Sequence, residues 1–265
     1  MNNILYSIKN FVFSNFPVLE RIFAHNRYSR DSWIKHEASL IPAESKVLDV
    51  GAGSCPYRNL FLHCTYMAHD FSKLDHRQLR GQKGYGKLDI ISDICSLPID
   101  SESIDVVLCT EVIEHVPTPI LAVKEMARIM KPGGTLLLSA PLQSGLHREP
   151  YHFYGGFTPY WYQTFLTKEG FSQVEINSVG GLFSTCSTLS LYAAIYLSPS
   201  KTRALPFLVR VVFLFLWIAA LPFLLLVAPL LFYLLNKALK VEMFAEGYHV
   251  KAVKRHSSGC SCEEP

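Results

Sequence analysis

The sequence predicts an α/β fold with a mostly parallel sheet and an additional apolar helical part. Strand-like and helix-like segments alternate between residues 46 and 140, which is typical of parallel strands joined by crossover helices. The apolar run 46–50, KVLDV, opens into a loop with Gly51 and Gly53, and the run 211–235 contains no charged residue. With 265 residues, 49% of them hydrophobic, the chain has ample material for a core.

The alternating region contains five strand candidates and one clear helix. The strands are expected at Lys46–Val50, Thr65–His69, Leu88–Ile91, Ile104–Thr110 and Thr135–Ala140. Residues 119–130 have the spacing of a helix, and the sequence KPGG that follows should stop it.

A second helix and two more strands are predicted further along the chain. Thr158 can cap this helix, Pro159 suits its first position and Gly170 can end it. The last two strand candidates are Phe171–Val179 and Tyr248–Lys254.

Residues 1–40 predict an N-terminal helical region, because apolar residues recur at close to helical spacing between positions 4 and 24. Two interpretations stay open: a helix that covers the core, or an interfacial helix that lies on a membrane. Lys9 and Asn10 interrupt the apolar stretch and no small-residue cleavage site follows it. A secretory signal is therefore not predicted.

Composition argues against several classes of site. A net charge of +3 makes no strong electrostatic case for binding nucleic acid. The seven cysteines are scattered without a CxxC spacing, so neither a disulfide framework nor a zinc site is indicated. Residues 257–265 have the composition of a disordered tail.

The loop after the first predicted strand suits a ligand that has no pyrophosphate. Gly51 and Gly53 would let a ligand touch the backbone at the carboxyl end of the sheet, a natural ligand site. Pro56 stands where a dinucleotide fingerprint needs glycine, and the loop lacks the Gly-Lys-Ser/Thr of a phosphate-binding P-loop. Asp49, just before the loop, suits a cationic ligand.

Two further carboxylates follow the next two predicted strands. Asp70 ends the segment YMAHD, where a carboxylate can accept hydrogen bonds from both ribose hydroxyls. Asp93 can accept a hydrogen bond from an adenine amino group, while Ile94 packs on the ring. Each aspartate alone is more often a cap or a turn residue, but three at successive strand ends favour one shared binding site.

Together these segments resemble the class I S-adenosylmethionine-dependent methyltransferases, in particular the type 11 group. The likeness covers roughly residues 46–181 and runs in the expected order through VLDVGAGSCPY, MAHDFS, DICSLPIDSESIDVVLCTEVIEHV and EMARIMKPGGTLLLSAP. Cys55 departs from the pattern, since many members have a glycine there. The resemblance implies a Rossmann-like, mostly parallel sheet of seven strands whose last strand is antiparallel.

The resemblance also implies that S-adenosylmethionine is the cofactor. The glycine loop would lie against its methionine part, Asp70 would hold the ribose, Asp93 and Ile94 would bind the adenine, and Glu111 would edge the methyl-transfer pocket. The expected cofactor-binding residues are Asp49, Gly51, Gly53, Asp70, Phe71, Asp93, Ile94 and Glu111.

Three histidines are candidate catalytic residues: His115, His147 and His152. Three interpretations of this region stay open. Glu114 and His115 only orient loops, or a histidine is a general base, or Glu111, Glu114, His115 and a later histidine hold magnesium. By resemblance, a Glu-x-x-Glu-His element binds metal in some ubiquinone-pathway O-methyltransferases and small-RNA 2′-O-methyltransferases. No metal ligand is assigned from the sequence.

The uncharged run has to be compatible with the last strand. Its 25 residues, 211–235, reach the length of one transmembrane helix, but a single crossing would leave the last strand on the wrong side of the membrane. We therefore expect 205–235 to enter and return, as a re-entrant hairpin bent at Pro222 or as a helix pair in the interface. A two-span version would use Leu182–Leu197, and a soluble alternative is a buried helical hairpin or a dimer interface.

The sequence thus predicts a membrane-associated methyltransferase whose catalytic domain faces the cytoplasm, in keeping with basic residues on both sides of the uncharged run. The catalytic domain would comprise residues 41–181 and 246–256, with the apolar insertion at 182–245. The acceptor would be an oxygen, nitrogen or carbon atom of a small-molecule, lipid-like or lipid-linked compound, and not nucleic acid. The alternative is a non-catalytic binding module with a methyltransferase-like sheet.

Overall fold

A computed structural model describes residues 17–80, 84–197, 206–239 and 241–256. Backbone contacts divide the chain into two compact units. One unit, residues 30–177 and 247–265, carries the sheet, and the other, residues 1–29 and 178–246, carries the apolar helices. The expectations for residues 1–16 and for the tail 257–265 lie outside the described residues.

Seven strands form one sheet, as predicted. They are β1 Lys46–Val50, β2 Thr65–Asp70, β3 Ile90–Ile91, β4 Ile104–Thr110, β5 Met130–Pro141, β6 Phe171–Val179 and β7 Gly247–Lys254. Their order is β3-β2-β1-β4-β5-β7-β6. The pairs from β3 through β5 are parallel, whereas β7 runs antiparallel to β5. The Rossmann-like sheet with an antiparallel last strand is therefore confirmed.

Seven helices accompany the sheet in the described part of the chain. They are α1 Pro17–Phe23, α2 His25–Leu40, α3 Pro119–Ile129, α4 Pro159–Lys168, α5 Leu182–Tyr196, α6 Phe207–Pro222 and α7 Ala228–Ala238, with a π-helical turn Phe223–Val227 between the last two. The predicted cap of α4 is present, since Thr158 Oγ1 accepts a hydrogen bond from the Trp161 N–H at 3.3 Å.

The KPGG segment does not separate α3 from β5 as a loop would. Ile104 of β4 is paired with Met130, and Val106 is paired with Thr135, so the four residues between them form an irregularity inside β5. The helix ends at Ile129, and the extended strand begins at the next residue. The strand is therefore longer than predicted because the proline and glycines are accommodated at its start.

Helix α2 supplies part of the core of the sheet-bearing unit. Ile34 and Ala38, one turn apart, are buried in a cluster with Val47, Phe61 and Leu108. This apolar face places α2 from Arg30 onward in the sheet-bearing unit.

The hairpin bent at Pro222, one of the alternatives for this segment, is not observed, because the helix continues through the proline. The backbone stays helical at Pro222 and at Phe223, with φ −59° and −66°, and α6, the π-helical turn and α7 form one helix of 32 residues. Proline lacks an N–H and crowds the preceding turn, and here a widened π-helical turn follows it and the helix continues. In that turn the Ala228 N–H donates to the carbonyl of Phe223.

The apolar insertion nevertheless returns to its starting point. Helix α5 packs beside α7 and the π-helical turn, and the Trp217 indole N–H donates to the Ala194 carbonyl at 2.9 Å. At the other end of the pair formed by α5 and the long helix, the Leu182 N–H donates to the Val241 carbonyl at 2.8 Å. The predicted return is therefore made by α5 and the long helix together, as in the version that uses Leu182–Leu197.

Among the described residues, one helix, Phe207–Ala238, is long and apolar enough to cross a membrane. Its side chains are mostly exposed within the chain. This exposure contradicts the alternative of a helical hairpin buried inside the protein.

Candidate active site

The glycine loop closes over the ends of β1 and β2. The N–H groups of Gly51 and Ala52 both donate to the carbonyl of His69, at 2.8 and 2.9 Å. Gly51 has φ +73°, and a Cβ at this position would lie 2.8 Å from Cγ1 of Val112. Glycine is therefore required here both by the backbone conformation and by the neighbouring side chain. Cys55, the departure from the expected pattern, has φ +53°.

Asp70 ties this loop to the end of β2. Its buried carboxylate accepts a hydrogen bond from the Gly53 N–H at 2.9 Å and one from the Ser72 N–H at 3.0 Å. A carboxylate can accept about four hydrogen bonds. Lone pairs therefore remain for further donors such as the hydroxyls of a ribose.

Asp49 lies beneath the loop with an unusual ionisation. Burial raises the pKa of Asp49 to about 7; the nearby charge of Asp70 also raises it, and a hydrogen bond from the Tyr66 hydroxyl opposes the rise. The free protein therefore holds this carboxyl partly protonated near neutral pH. A cation brought next to it would favour the ionised form.

Asp93 and Ile94 follow β3 at the same edge of the sheet. Ile91 of β3 is the register partner of Asp70, so Asp93 lies two residues past that pair. The exposed Asp93 accepts a hydrogen bond from the Cys95 N–H at 2.8 Å, and Ile94 is buried. The strand ends thus bring the predicted carboxylates to one edge of the sheet, while the contacts that each makes with a cofactor stay predictions.

The ring of Phe71, directly after Asp70, meets the ring of Tyr151 edge-on with centroids 5.0 Å apart. Tyr151 belongs to the segment after β5. This contact links the β2 loop to the segment that carries two of the candidate histidines.

Glu111 follows β4 with a left-handed backbone, φ +55°. One carboxylate oxygen accepts a hydrogen bond from the Ser139 hydroxyl at 3.1 Å, and the other lies 3.3 Å from Nη1 of Arg30. Both oxygens therefore have partners from other elements, and these contacts fix the side chain at the strand end.

Sequence reasoning missed Arg30. Its side chain is 13% exposed, and its guanidinium pairs with Glu111 and donates to the Tyr57 hydroxyl at 3.2 Å. That hydroxyl in turn donates to Asp31. Burial alone would lower the pKa of Arg30, but Glu111, Tyr57 and Asp31 raise it on balance. The signal in the sequence was the spacing Arg30, Ile34, Ala38, which places this cation on the core face of the helix.

Glu114 and His115 form a buried pair next to this cation. Burial, together with Glu111, raises the pKa of Glu114 well above its usual range, and burial, together with Arg148, lowers the pKa of His115 to about 3. His115 Nδ1 donates to the Tyr151 carbonyl at 2.6 Å, which leaves the lone pair on Nε2, 3.6 Å from a Glu114 oxygen. Among the described residues, neither the Glu114 oxygens nor this Nε2 has a hydrogen-bond partner.

The three predicted histidines are brought together. The ring centroid of His147 lies 4.8 Å from that of His115 and 4.5 Å from that of His152. His147 Nδ1 donates to the Gly145 carbonyl at 2.9 Å, and His152 Nε2 is 3.1 Å from the Ser144 hydroxyl.

A metal ion would find three ligand atoms in this cluster. One atom each from Glu114, His115 and His147 lies within 4.8 Å of the others. Glu111, which the magnesium interpretation included, is not in this group, because its oxygens contact Arg30 and Ser139. A mixed carboxylate and imidazole set suits a transition-metal ion better than magnesium, which prefers oxygen ligands.

Comparison with known proteins identifies the domain that carries these residues. Residues 48–138 match the family model described as a methyltransferase domain. The chain contains a class I S-adenosylmethionine-dependent methyltransferase domain. S-adenosylmethionine is accordingly its cofactor, and the resemblance to the type 11 group is confirmed.

Relatives of the methyltransferase domain include enzymes of ubiquinone biosynthesis. The ubiquinone biosynthesis O-methyltransferase of Xanthomonas axonopodis pv. citri is 31% identical over 124 residues, which is 44% of this chain and 49% of that protein. The enzyme of the same name from Xanthomonas campestris pv. campestris is 45% identical over 51 residues, 19% of each chain. The match thus spans between about a fifth and a half of these curated relatives.

A solved structure of the cyclase SpnF superimposes on the chain with a TM-score of 0.51 and 17% identity, covering 86% of this chain and 81% of SpnF. At this identity the likeness concerns the fold alone. A cyclase on this fold also illustrates that the sheet does not by itself define the reaction.

Proposed function

We propose that this protein is a membrane-associated O-methyltransferase that transfers the methyl group of S-adenosylmethionine to a hydroxyl of an apolar, lipid-like acceptor. The observation that carries the proposal is the cluster His115, His147 and His152 beside the loop of a methyltransferase domain. Methylation of a neutral hydroxyl benefits from a proton acceptor, and imidazole is the side chain best suited to that role.

The cofactor, when bound, supplies a methyl group already activated by a sulfonium. In our proposal the chain binds and orients it. Gly51 and Gly53 allow close approach to the backbone, and Asp70 accepts hydrogen bonds from ribose hydroxyls. Arg30, a buried cation held by Glu111, offers a charge-assisted hydrogen bond to the carboxylate of the methionine part.

We assign the proton acceptor to His147. Its Nδ1 donates to the Gly145 carbonyl, so the lone pair is on Nε2. His147 is exposed and can meet an acceptor, whereas His115 is enclosed by Glu114 and Tyr151. His152 already shares a hydrogen bond with Ser144.

Membrane association is supported by the exposed apolar helix Phe207–Ala238. The two ends of the insertion meet where Leu182 is hydrogen-bonded to Val241. Strands β6 and β7, which flank the insertion, therefore stay on one side of a membrane, which we propose is the cytoplasmic side. An acceptor dissolved in the bilayer would explain this attachment. The Xanthomonas relatives are ubiquinone biosynthesis O-methyltransferases, and this name is consistent with an acceptor of this kind.

The test combines cofactor binding with product identification. Calorimetry should detect S-adenosylmethionine binding to the full chain and a clear loss with Asp70→Ala. Membranes from cells with and without the protein, incubated with methyl-labelled cofactor, should differ in a labelled, organic-extractable methyl ether. Binding without any labelled product would favour the non-catalytic module, and a labelled amine or a soluble product would overturn the O-methyl, lipid-like assignment.

The role of His147 is tested separately. His147→Asn should lower kcat by about 10²–10⁴-fold without changing cofactor affinity, whereas His36→Asn, an exposed histidine of α2, should change neither. An unchanged kcat in His147→Asn would remove this residue from the mechanism.

The second candidate is a metal-assisted version of the same transfer, favoured by the proximity of Glu114, His115 and His147. A bound ion would polarise the acceptor hydroxyl. Dialysis against a chelator should then abolish activity, and added divalent metal should restore it. Full activity after chelation would exclude the metal-assisted version and leave His147 as the proton acceptor.

A further inference from the structure

Two cations flank one tyrosine ring in the unit that carries the apolar helices. The Arg21 guanidinium carbon lies 5.7 Å from the ring centroid of Tyr233, and Lys237 Nζ lies 5.0 Å from the same centroid. Arg21 also lies 5.9 Å from the ring of Tyr28. Arg21 belongs to α1, which packs on α7, so two helices contribute to the cluster.

No carboxylate neutralises these two cations within the described part of the chain. Neither Arg21 nor Lys237 has an acidic oxygen within 4.0 Å, although Arg27 nearby pairs with Glu20 at 2.7 Å. Cation–π contacts attract each charge to the ring, but two like charges around one ring repel each other. An anion bound to both would offset that repulsion.

The cluster lies where an apolar surface ends. Leu230, Leu231 and Leu234 of α7 are exposed, and Lys237 follows one turn later. Tyr233 and Lys237 precede by a few residues the point at which the Leu182 N–H meets the Val241 carbonyl. A tyrosine with cations at the end of an apolar helix matches the depth of lipid headgroups.

We propose that Arg21, Tyr233 and Lys237 form a binding site for the phosphate of an anionic phospholipid headgroup. The exposed leucines of α7 contact the acyl chains of the same lipid. A phospholipid, rather than a soluble phosphate, is the occupant because the cluster continues directly into this apolar surface. This site rests on the membrane association in the proposed function and does not depend on the chemistry of methyl transfer.

The experiment compares lipids with the full chain purified in a neutral detergent. Native mass spectrometry, with short-chain phosphatidylglycerol or phosphatidylcholine titrated in, measures the affinity for each lipid. The variant Arg21→Gln/Lys237→Gln removes both charges, and Lys124→Gln/Lys168→Gln is the matched control with two exposed lysines of the methyltransferase domain. Thermal unfolding and S-adenosylmethionine binding establish that each variant is folded.

Each cation near a lipid surface contributes about fivefold in affinity, so the double variant should bind phosphatidylglycerol about thirty-fold more weakly. Binding of phosphatidylcholine should stay unchanged, and the control variant should behave as the native protein does. Equal binding of the two lipids by the native protein, or unchanged binding of phosphatidylglycerol by the double variant, would overturn the site. If glycerol 3-phosphate binds as tightly as the lipid, the occupant of the site is a soluble phosphate and not a lipid headgroup.

These outcomes are distinguishable from failure of the proposed function. A sedimentation assay with vesicles of phosphatidylcholine, alone or mixed with phosphatidylglycerol, separates the two, and native protein that binds vesicles of neither composition would remove membrane association itself. Native protein that binds neutral and anionic vesicles equally well would remove only the anionic site, and labelled product formation would be unaffected by it.

Discussion

Cofactor affinity should depend on pH through Asp49. The carboxyl has a pKa of about 7 in the free protein, because burial and the charge of Asp70 outweigh the hydrogen bond from Tyr66. A neutral carboxyl offers no charge to the sulfonium and ammonium groups of S-adenosylmethionine. Binding should therefore require the ionised form, and the affinity should rise as the pH rises through this value.

The magnitude follows from the protonated fraction. With a pKa of about 7, roughly nine-tenths of the protein carries a neutral Asp49 at pH 6 and roughly one-tenth at pH 8. The dissociation constant should thus fall about tenfold between these pH values. The free energy of unfolding should change with pH in the opposite direction to the affinity. The native state holds a proton that the unfolded state has lost, so the free protein should lose stability as the pH rises from 3.8 to about 7.

The assay is calorimetric titration with S-adenosylmethionine across this pH range. Asp49→Asn has no titratable group at this position, so it should bind S-adenosylmethionine weakly and with an affinity that does not change with pH. The ligand's own ionisation affects both proteins equally and cancels in the comparison. Tyr66→Phe removes the hydrogen bond that stabilises the carboxylate, so its binding transition should move to higher pH. A native profile as flat as that of Asp49→Asn would refute the reasoning.

Three further predictions concern the loop, the buried cation and the insertion. Gly51→Ala should lower the free energy of unfolding by roughly 1–3 kcal/mol in urea titrations, because of φ +73° and the contact with Val112. Val112→Ala should restore part of this loss, and a stable Gly51→Ala would contradict the clash. Arg30→Gln should weaken cofactor binding in calorimetry by about ten- to hundredfold, equivalent to about 1.5–3 kcal/mol for a hydrogen bond to a charged group. Arg30→Lys should recover some of that affinity, and native-like binding by Arg30→Gln would exclude the contact. Joining Leu182 to Val241 by a short linker should leave a protein that still binds cofactor but no longer partitions into membranes. A sedimentation assay measures the partitioning, and partitioning that persists would place the membrane contact elsewhere.

Local patterns predicted the sheet well, because strand identity depends on nearby sequence. The bounds of β1, β4 and β6 match the expected strands, and the alternation of strands with helices determined the parallel order. The carboxylates could also be predicted, since parallel strands bring their carboxyl ends to one edge. Asp49, Asp70 and Asp93 reach that edge through strand register alone.

What could not be predicted depends on contacts between distant segments. Arg30 contacts Glu111, which is 81 positions away in the sequence, and no local spacing predicts that ion pair. The raised pKa of Glu114 and the lowered pKa of His115 arise from burial, which the sequence does not quantify. The alternative of a hairpin bent at Pro222 fails for a different reason: the local rule that proline bends a helix does not anticipate the π-helical turn that accommodates the residue.

The position of the apolar insertion is constrained by the sheet itself. Strand β7 is paired with β5 over seven residues, from Thr135 with Val253 to Pro141 with Gly247, and it also adjoins β6. Those hydrogen bonds form only if the chain comes back to the sheet after residue 182. An insertion between β6 and β7 must therefore have its two ends together, and the bond between Leu182 and Val241 meets that requirement. A methyltransferase sheet can thus carry a long apolar segment at this point without losing its last strand, because the return is built into the helix pair and does not depend on a bend within the long helix.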